Sequence, residues 1–339
     1  MQSIGIVIIG RNEGNRLKAS LLSIIGQERT IVYVDSGSSD NSVELAKSLG
    51  VNCIELDLSI PFTAARARNT GFEYLLQIKP EVEFIQFVDG DCVVVEGWLE
   101  RAVNEFIARP DAVVVCGRCQ EKFPNHSIYN RLCDIEWNTP VGEVTACGGN
   151  CMIRVTALTK VGGFNPTLIA GEEPELCLRL RRNGGKILRI DAQMVLHDAN
   201  ITSFKQWWKR EIRNGHAYAE GAWLHGRAPE RHWVRESLRS WFWALFLPLL
   251  AIAGLLRTQG LSIILLLMAY LLLAHRLYNT TRERGYQSTD AILYAIFSVL
   301  DKFPKLQGQI KFFISILLKQ QRTLVEYKNI DLTPPTPLP

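Results

Sequence analysis

Asp89-Gly90-Asp91 sets two carboxylates one glycine apart directly after the apolar Phe87-Val88, so both are presented at a strand end where Gly90 permits a tight bend. Mg2+ and Mn2+ prefer oxygen ligands, and Mg2+ commonly takes one or two carboxylates, waters and substrate phosphates. The triplet therefore fits a metal-bridged diphosphate. No GxGxxG follows an early strand and no GxxxxGK[ST] occurs, which argues against a dinucleotide oxidoreductase and a P-loop nucleotidase. Two more polar clusters, Arg11-Asn12-Glu13 and Asp35-Ser36-Gly37-Ser38-Ser39-Asp40, also follow apolar runs. Such residues are ordinary turn formers one cluster at a time. Three of them at the ends of successive strands mark one ligand-binding edge.

The elements that must position these groups alternate in type. Residues 4–9, 31–34, 51–56, 84–88 and 112–116 read as strands, the first an apolar, β-branched run buried on both faces. Between them, helical patterns run up to residue 25 and over 42–49, 62–76 and 97–108, with Asp40 placed to cap the second and Gly50 to end it. This order predicts an α/β, Rossmann-like domain, a mostly parallel sheet with helices on both faces and its ligand at the carboxyl ends of the strands.

Several of these segments occur in an order that resembles family 2 glycosyltransferases of GT-A fold. They are residues 4–13, the Asp35 turn, Ala67-Arg68-Asn69-Thr70-Gly71, Asp89-Gly90-Asp91, Gly148-Gly149-Asn150-Cys151-Met152-Ile153-Arg154 and Gly171-Glu172-Glu173-Pro174-Glu175-Leu176. The resemblance covers about residues 1–220. It implies inverting transfer of a sugar from a nucleotide-sugar donor with Mg2+ or Mn2+. It further implies that Asp35 receives the donor base, with Asn12 and Glu13 beside it, and that Asp89 and Asp91 flank the metal and diphosphate. Arg68 and Asn69 match a helix segment facing the nucleotide, although a solvated helix charge is an equal reading of Arg68. Gly149 and Asn150 fall on the acceptor side.

Inverting transfer needs a carboxylate to take the acceptor proton while the metal stabilises charge on the departing diphosphate. Glu172 and Glu173 precede a helical stretch with Arg179, Arg181 and Arg182, a position that would equally serve the helix dipole. The family's base is the second residue of a Glu-Asp pair, which aligns with Glu173, one methylene longer here. His197 follows another apolar run and could complete the metal sphere or serve structurally. A sugar-phosphate nucleotidyltransferase, or a non-catalytic sugar-nucleotide-binding subunit of a membrane synthase, would use some of the same residues.

The chain has 339 residues, 47% apolar and 21% charged, with a net charge of +4. Its mean hydropathy of +0.04 excludes a disordered chain or a polytopic transporter, and conceals two unlike parts. Residues 241–256 and 258–274 lack any charged side chain, whereas residues 1–240 have the character of a soluble domain. Between residues 201 and 240 stand eight Lys or Arg against four Glu, and six of the eight tryptophans lie between 207 and 243. Basic residues and tryptophan beside an apolar run suit a membrane interface. Nucleic acid would use the same residue types but leaves the apolar runs unexplained, so no nucleic-acid partner is expected.

The two runs, about 16 and 17 residues long, predict a hairpin that spans the bilayer or enters it as a re-entrant pair, with a buried soluble hairpin as the alternative. Basic outer flanks put the catalytic domain on the cytoplasmic face of the membrane. The expected division is therefore a GT-A domain over 1–235, a membrane hairpin over 236–278, amphipathic interfacial helices over 279–330 and a disordered tail over 331–339. The acceptor is expected to be a polysaccharide or lipid-linked sugar, with membrane lipids as further partners. The first ten residues lack a signal-peptide pattern, which implies a cytoplasmic domain with reduced thiols. The spacing of Cys116, Cys119, Cys147 and Cys151 departs from that of zinc sites.

Overall fold

The computed structural model describes residues 3–26 and 29–319, so the tail expected at 331–339 lies outside the described residues. The chain divides into two compact units. Among the described residues, one runs to Pro124 and resumes over Glu136–Asn200, and the other takes Asn125–Ile135 and residues 201–319. Residues 201–235, expected with the first part, thus belong to the second unit.

The first unit is built on nine strands: β1 (Ile4–Gly10), β2 (Thr30–Asp35), β3 (Asn52–Glu55), β4 (Phe84–Asp89), β5 (Cys92–Val94), β6 (Ala112–Glu121), β7 (Gly142–Val144), β8 (Cys151–Arg154) and β9 (Lys186–His197). Its helices are α1 (Asn15–Leu22), α2 (Ser42–Ser48), α3 (Ala64–Ile78), α4 (Trp98–Ala108), α6 (Val155–Lys160) and α7 (Glu172–Arg182), while α5 (Ile128–Trp137) falls mostly in the second unit. The sheet order is β3-β2-β1-β4-β8-β6-β9-β5, with β7 on β9.

The expected parallel arrangement holds over β3-β2-β1-β4, and beyond β4 the sheet is mixed. β8 runs antiparallel to both β4 and β6, β6 and β9 are parallel, and β5 and β7 are antiparallel to β9. The register aligns Gly10 with Asp35 and Ile9 with Asp89, so the carboxyl ends of β1, β2 and β4 lie side by side. Register shifts between Cys116 and Cys119 interrupt β6 against β9. Bulges of this kind bend a strand and increase its twist, and past them β5 joins β9 with Cys92 opposite His197.

Helix α3 begins at Thr63, whose hydroxyl accepts from the Arg66 backbone N–H, a standard N-cap. It lies close against the sheet because Gly71 and Gly5 have no side chain. A Cβ at Gly71 would come within 2.4 Å of Val7, and one at Gly5 within 2.2 Å of Leu75. This contact sets the height of Arg68, on the preceding turn, over the strand ends.

The second unit is helical: α8 (Phe204–His225), α9 (Val234–Trp241), α10 (Leu247–Gly254), α11 (Leu261–Glu283), α12 (Ser288–Leu300) and α13 (Lys302–Leu317), with a π-helical turn over Phe242–Phe246. Ser203 and Gln206 form a capping box at the start of α8. α8 and α13 cross at backbone contact, since a Cβ at Gly215 would lie 2.0 Å from the Lys305 carbonyl and one at Gly308 equally close to the Ile212 carbonyl. At this crossing Lys305 pairs with buried Glu211 at 3.3 Å.

Two helices, Val234–Gly254 and Leu261–Glu283, are long and apolar enough to cross a membrane, with 22% and 0% of their apolar windows buried. Leu256 between them is 90% exposed. The polar groups of the connecting turn satisfy one another. Thr258 donates to the Gly254 carbonyl and accepts from the Ser262 N–H, and Ser262 donates to the Ala251 carbonyl.

Candidate active site

Asp35 ends β2 with its carboxylate buried. Oδ2 accepts the N–H groups of Gly37 and Ser38 at 2.9 and 2.7 Å, while Oδ1 accepts the hydroxyls of Tyr33 and Ser38. Those four donors occupy the roughly four acceptor sites of a carboxylate, so Asp35 orders the turn after β2. Burial and the neighbouring Asp35 charge push the Tyr33 phenol well above its ordinary range. Asn12, in the left-handed region at φ 55, joins this turn to the one after β1. Its N–H donates to Ser38 Oγ and its side-chain carbonyl accepts the Ser39 N–H. Glu13 pairs with Arg16 at 2.9 Å, and its Cγ lies against Gly90. Arg11 sits 4.5 Å over the Phe62 ring.

The centre of the site is Arg68. Its side chain is 3% exposed and pairs with three carboxylates: Asp89 at 2.9 Å through Nη2, and Glu172 and Glu173 at 3.0 and 2.9 Å through Nη1. The solvated-charge reading of Arg68 is therefore excluded. Burial opposes its charge, but the three carboxylates outweigh burial and hold the guanidinium ionised. Among the described residues, Arg68 Nε and Glu172 Oε2 are buried with no hydrogen-bond partner. Burial, and then the charge of Glu172, push Glu173 up to about 7 against the pull of Arg68.

Gly149 lies over this cluster. A Cβ there would meet Arg68 Nη2 at 2.3 Å, Asp89 Oδ2 at 2.9 Å and Glu173 Oε1 at 3.0 Å. Asn150 next to it grips Asp89 twice, accepting the Asp89 N–H at 3.0 Å and donating to its carboxylate at 3.3 Å. Asn69 is turned elsewhere. Its amide donates to the Phe164 carbonyl and accepts the Phe164 N–H, both at 2.8 Å, which ties α3 to the loop after α6.

Asp91 is buried, and its Oδ2 lies 3.0 Å from His197 Nε2. Asp91, Cys92 and His197 bring three potential ligand atoms within 4.8 Å of one another. Burial, and then the charge of Asp89, hold the Cys92 thiol protonated, which leaves an oxygen and an imidazole nitrogen as donors. Carboxylate suits Mg2+ and Mn2+, and imidazole is a common ligand of transition metals. The residues therefore fit the expected ion. The Trp137 ring stacks on His197 with centroids 4.5 Å apart and planes at 22°.

Sequence reasoning missed Trp137 and Cys92. The sole sequence signal for Cys92 was its place beside Asp91, and Trp137 carried none. The geometry gathers Arg68, Asp89, Gly149, Asn150, Glu172 and Glu173 into one cluster. Asp91 pairs with His197, and Asn12 and Asp35 form the neighbouring turn network.

The description "Glycosyl transferase family 2" matches residues 5–162. A pre-mycofactocin glycosyltransferase of Mycobacterium tuberculosis is 26% identical over 238 residues, covering 66% of this chain and 48% of that protein. The chain thus spans about half the length of that relative. Glycosyltransferase AglE of Haloferax volcanii is 23% identical over 258 residues, 72% of this chain and 81% of its own. In fold, the chain is similar to the mannosyltransferase PcManGT of Pyrobaculum calidifontis, solved with GDP-Man and Mn2+. The TM-score is 0.57 at 16% identity, over 88% of this chain and 87% of that one. Residues 5–162, from β1 to the end of α6, thus carry the pattern of glycosyl transferase family 2, on a sheet with its polar groups at the carboxyl ends.

Proposed function

We propose that this chain is an inverting, metal-dependent hexosyltransferase. It moves a sugar from a nucleotide-sugar donor to a polysaccharide or lipid-linked acceptor at the cytoplasmic face of a membrane. The observation that carries the reading is Arg68, one guanidinium that holds the metal-side carboxylate Asp89 and the two candidate base carboxylates together. Proton acceptor and leaving-group site are thereby fixed relative to each other, as a displacement at one carbon requires.

Asp91 and His197, with Asp89 beside them, would hold Mg2+ or Mn2+, which when bound supplies positive charge to the departing diphosphate. Glu173 would take the acceptor hydroxyl proton. Its elevated proton affinity suits a base working near neutral pH, and Glu172 beside it maintains that elevation. Asp35 and Asn12 would meet the donor base through the turn that they order, with Glu13 behind the Gly90 bend. Gly149, on the acceptor side, lets its loop lie directly on Arg68 because it has no side chain, and Asn150 fixes Asp89. Asn69 would act at one remove, by seating α3. The hairpin formed by Val234–Gly254 and Leu261–Glu283, exposed and apolar, would hold the protein at the bilayer where a lipid-linked acceptor resides, with basic residues and tryptophans at the headgroups.

Calorimetry with UDP, GDP and dTDP, each with and without Mn2+, tests donor and metal together. One nucleoside diphosphate should bind more tightly with the ion, and Asp91→Ala should abolish that difference. Glu173→Gln should lower turnover by about 10²–10⁴-fold while leaving nucleotide affinity intact. Release of pyrophosphate instead of a nucleoside diphosphate, or full transfer by Glu173→Gln, would overturn the reading.

A further inference from the structure

All eight cysteines are free thiols, yet Cys147 Sγ and Cys177 Sγ lie only 3.5 Å apart. Cys147 is partly exposed in the loop before β8, and Cys177 is buried in α7. Each is tied to the site by position. Cys177 stands four residues after Glu173, one helical turn along the same face. Cys147 stands two residues before Gly149, which has no clearance over Arg68, Asp89 and Glu173. α7 is a regular helix of 11 residues, whereas residues 145–150 have no regular structure, so drawing the two sulfurs together moves the loop.

We propose that Cys147 and Cys177 form an oxidation site for hydroperoxides, whose disulfide clamps the Gly149 loop onto the helix of Glu172 and Glu173 and arrests turnover. In the first step the Cys147 sulfur attacks the peroxide, the O–O bond breaks, and an alcohol or water leaves behind a sulfenic acid. In the second, the Cys177 sulfur attacks the Cys147 sulfur. The S–O bond breaks, the S–S bond forms, and the Cys177 proton leaves with the hydroxyl as water. Two thiols are oxidised by two electrons in all, and one peroxide is reduced.

The sulfurs must close to about 2.05 Å, so the loop has to shift by about an ångström or more, and a displacement of that size at a catalytic centre costs roughly 10²-fold in rate. The contact with Cys151 raises the proton affinity of Cys147, and the contact with Cys147 raises that of Cys177. Because thiolate is the reactive form, the pair stays reduced at low oxidant and closes under sustained load. The effect on turnover rests on the glycosyltransferase reading, while formation of the crosslink does not.

The test uses the full chain in detergent, reduced, exposed to hydrogen peroxide, blocked with N-ethylmaleimide and mapped by mass spectrometry. The expected product is one peptide pair joined through Cys147 and Cys177, 2 Da lighter than the two thiols. With it, donor turnover should fall about 10²-fold and recover with dithiothreitol. Cys147→Ser should turn over normally before and after peroxide, and Cys177→Ala gives the same check from the buried side if it folds. A Cys147–Cys151 disulfide, or sulfinic acid at Cys147 with Cys177 still alkylated, overturns the site. The expected crosslink with unchanged turnover overturns the clamp. No turnover even in the reduced protein would count against the glycosyltransferase reading and leave the crosslink result standing.

Discussion

Replacing Arg68 with methionine removes one positive charge from among three carboxylates, each within 3.0 Å of the guanidinium. Methionine fills similar apolar volume, so the loss is electrostatic. Deleting one partner of a buried ion pair costs about 3–5 kcal/mol, because the charge left behind is uncompensated. For a domain of this size each kcal/mol lowers the melting temperature by about 2–4 °C, which puts the expected drop at roughly 6–20 °C.

The sign with pH follows from Glu173, raised from 4.5 to about 7 in the folded protein by burial and by Glu172. A carboxylate so raised binds its proton more tightly when folded. Its contribution to stability is therefore full below about pH 4.5 and lost as pH rises through about 7. Arg68 limits that loss, so the gap between wild type and Arg68→Met should widen between about pH 5 and pH 8. Adding Glu172→Gln removes one buried negative charge and should recover part of the difference. Thermal unfolding followed by circular dichroism at several pH values measures all three proteins. A variant that melts with wild type at pH 8, or a gap that does not vary with pH, refutes the assigned burial and pairing.

Gly149→Ala places a methyl 2.3 Å from Arg68 Nη2. It should cost about 1–3 kcal/mol in stability and about 10²-fold in turnover, and wild-type values for both would show that the loop has slack. Trp137→Ala frees the His197 ring; loss of such outer partners typically weakens a metal by about 10–100-fold. Mn2+ titration by electron paramagnetic resonance should report that loss, with Trp137→Phe intermediate, and equal affinity in all three would remove Trp137 from the metal corner. Truncation after Ser240 should release the protein from membranes into the supernatant; a full-length chain that is soluble without detergent contradicts the anchor.

Much of this fold is readable from local pattern. The runs of β1, β2 and β4 and their polar ends sit in parallel register, where adjacent strands translate sequence order directly into adjacency. Asp89 and Asp91 are visible for the same reason. His197 is harder, since its approach to Asp91 spans 106 residues and depends on bulges in β6 that no periodicity announces. Arg68 reads equally well as a solvated charge on an amphipathic helix, because its burial is decided by carboxylates on β4 and α7. Cys147 and Cys177 are 30 residues apart, and the cysteine spacing in the sequence bears on zinc alone. Side chains whose partners lie in a distant element leave no periodic trace.

The tryptophans of the first unit are Trp98 and Trp137, and Trp98 is buried with its indole N–H on Gln86. The remaining six lie between Trp207 and Trp243 in the second. The protein thus carries two optical populations. Mn2+ at the Asp91 corner would quench Trp137 by its paramagnetism, while brominated lipid would quench those exposed tryptophans of the helical set that meet a bilayer, and not the buried Trp207. Metal loading and bilayer contact can therefore be followed in one cuvette, without any added label.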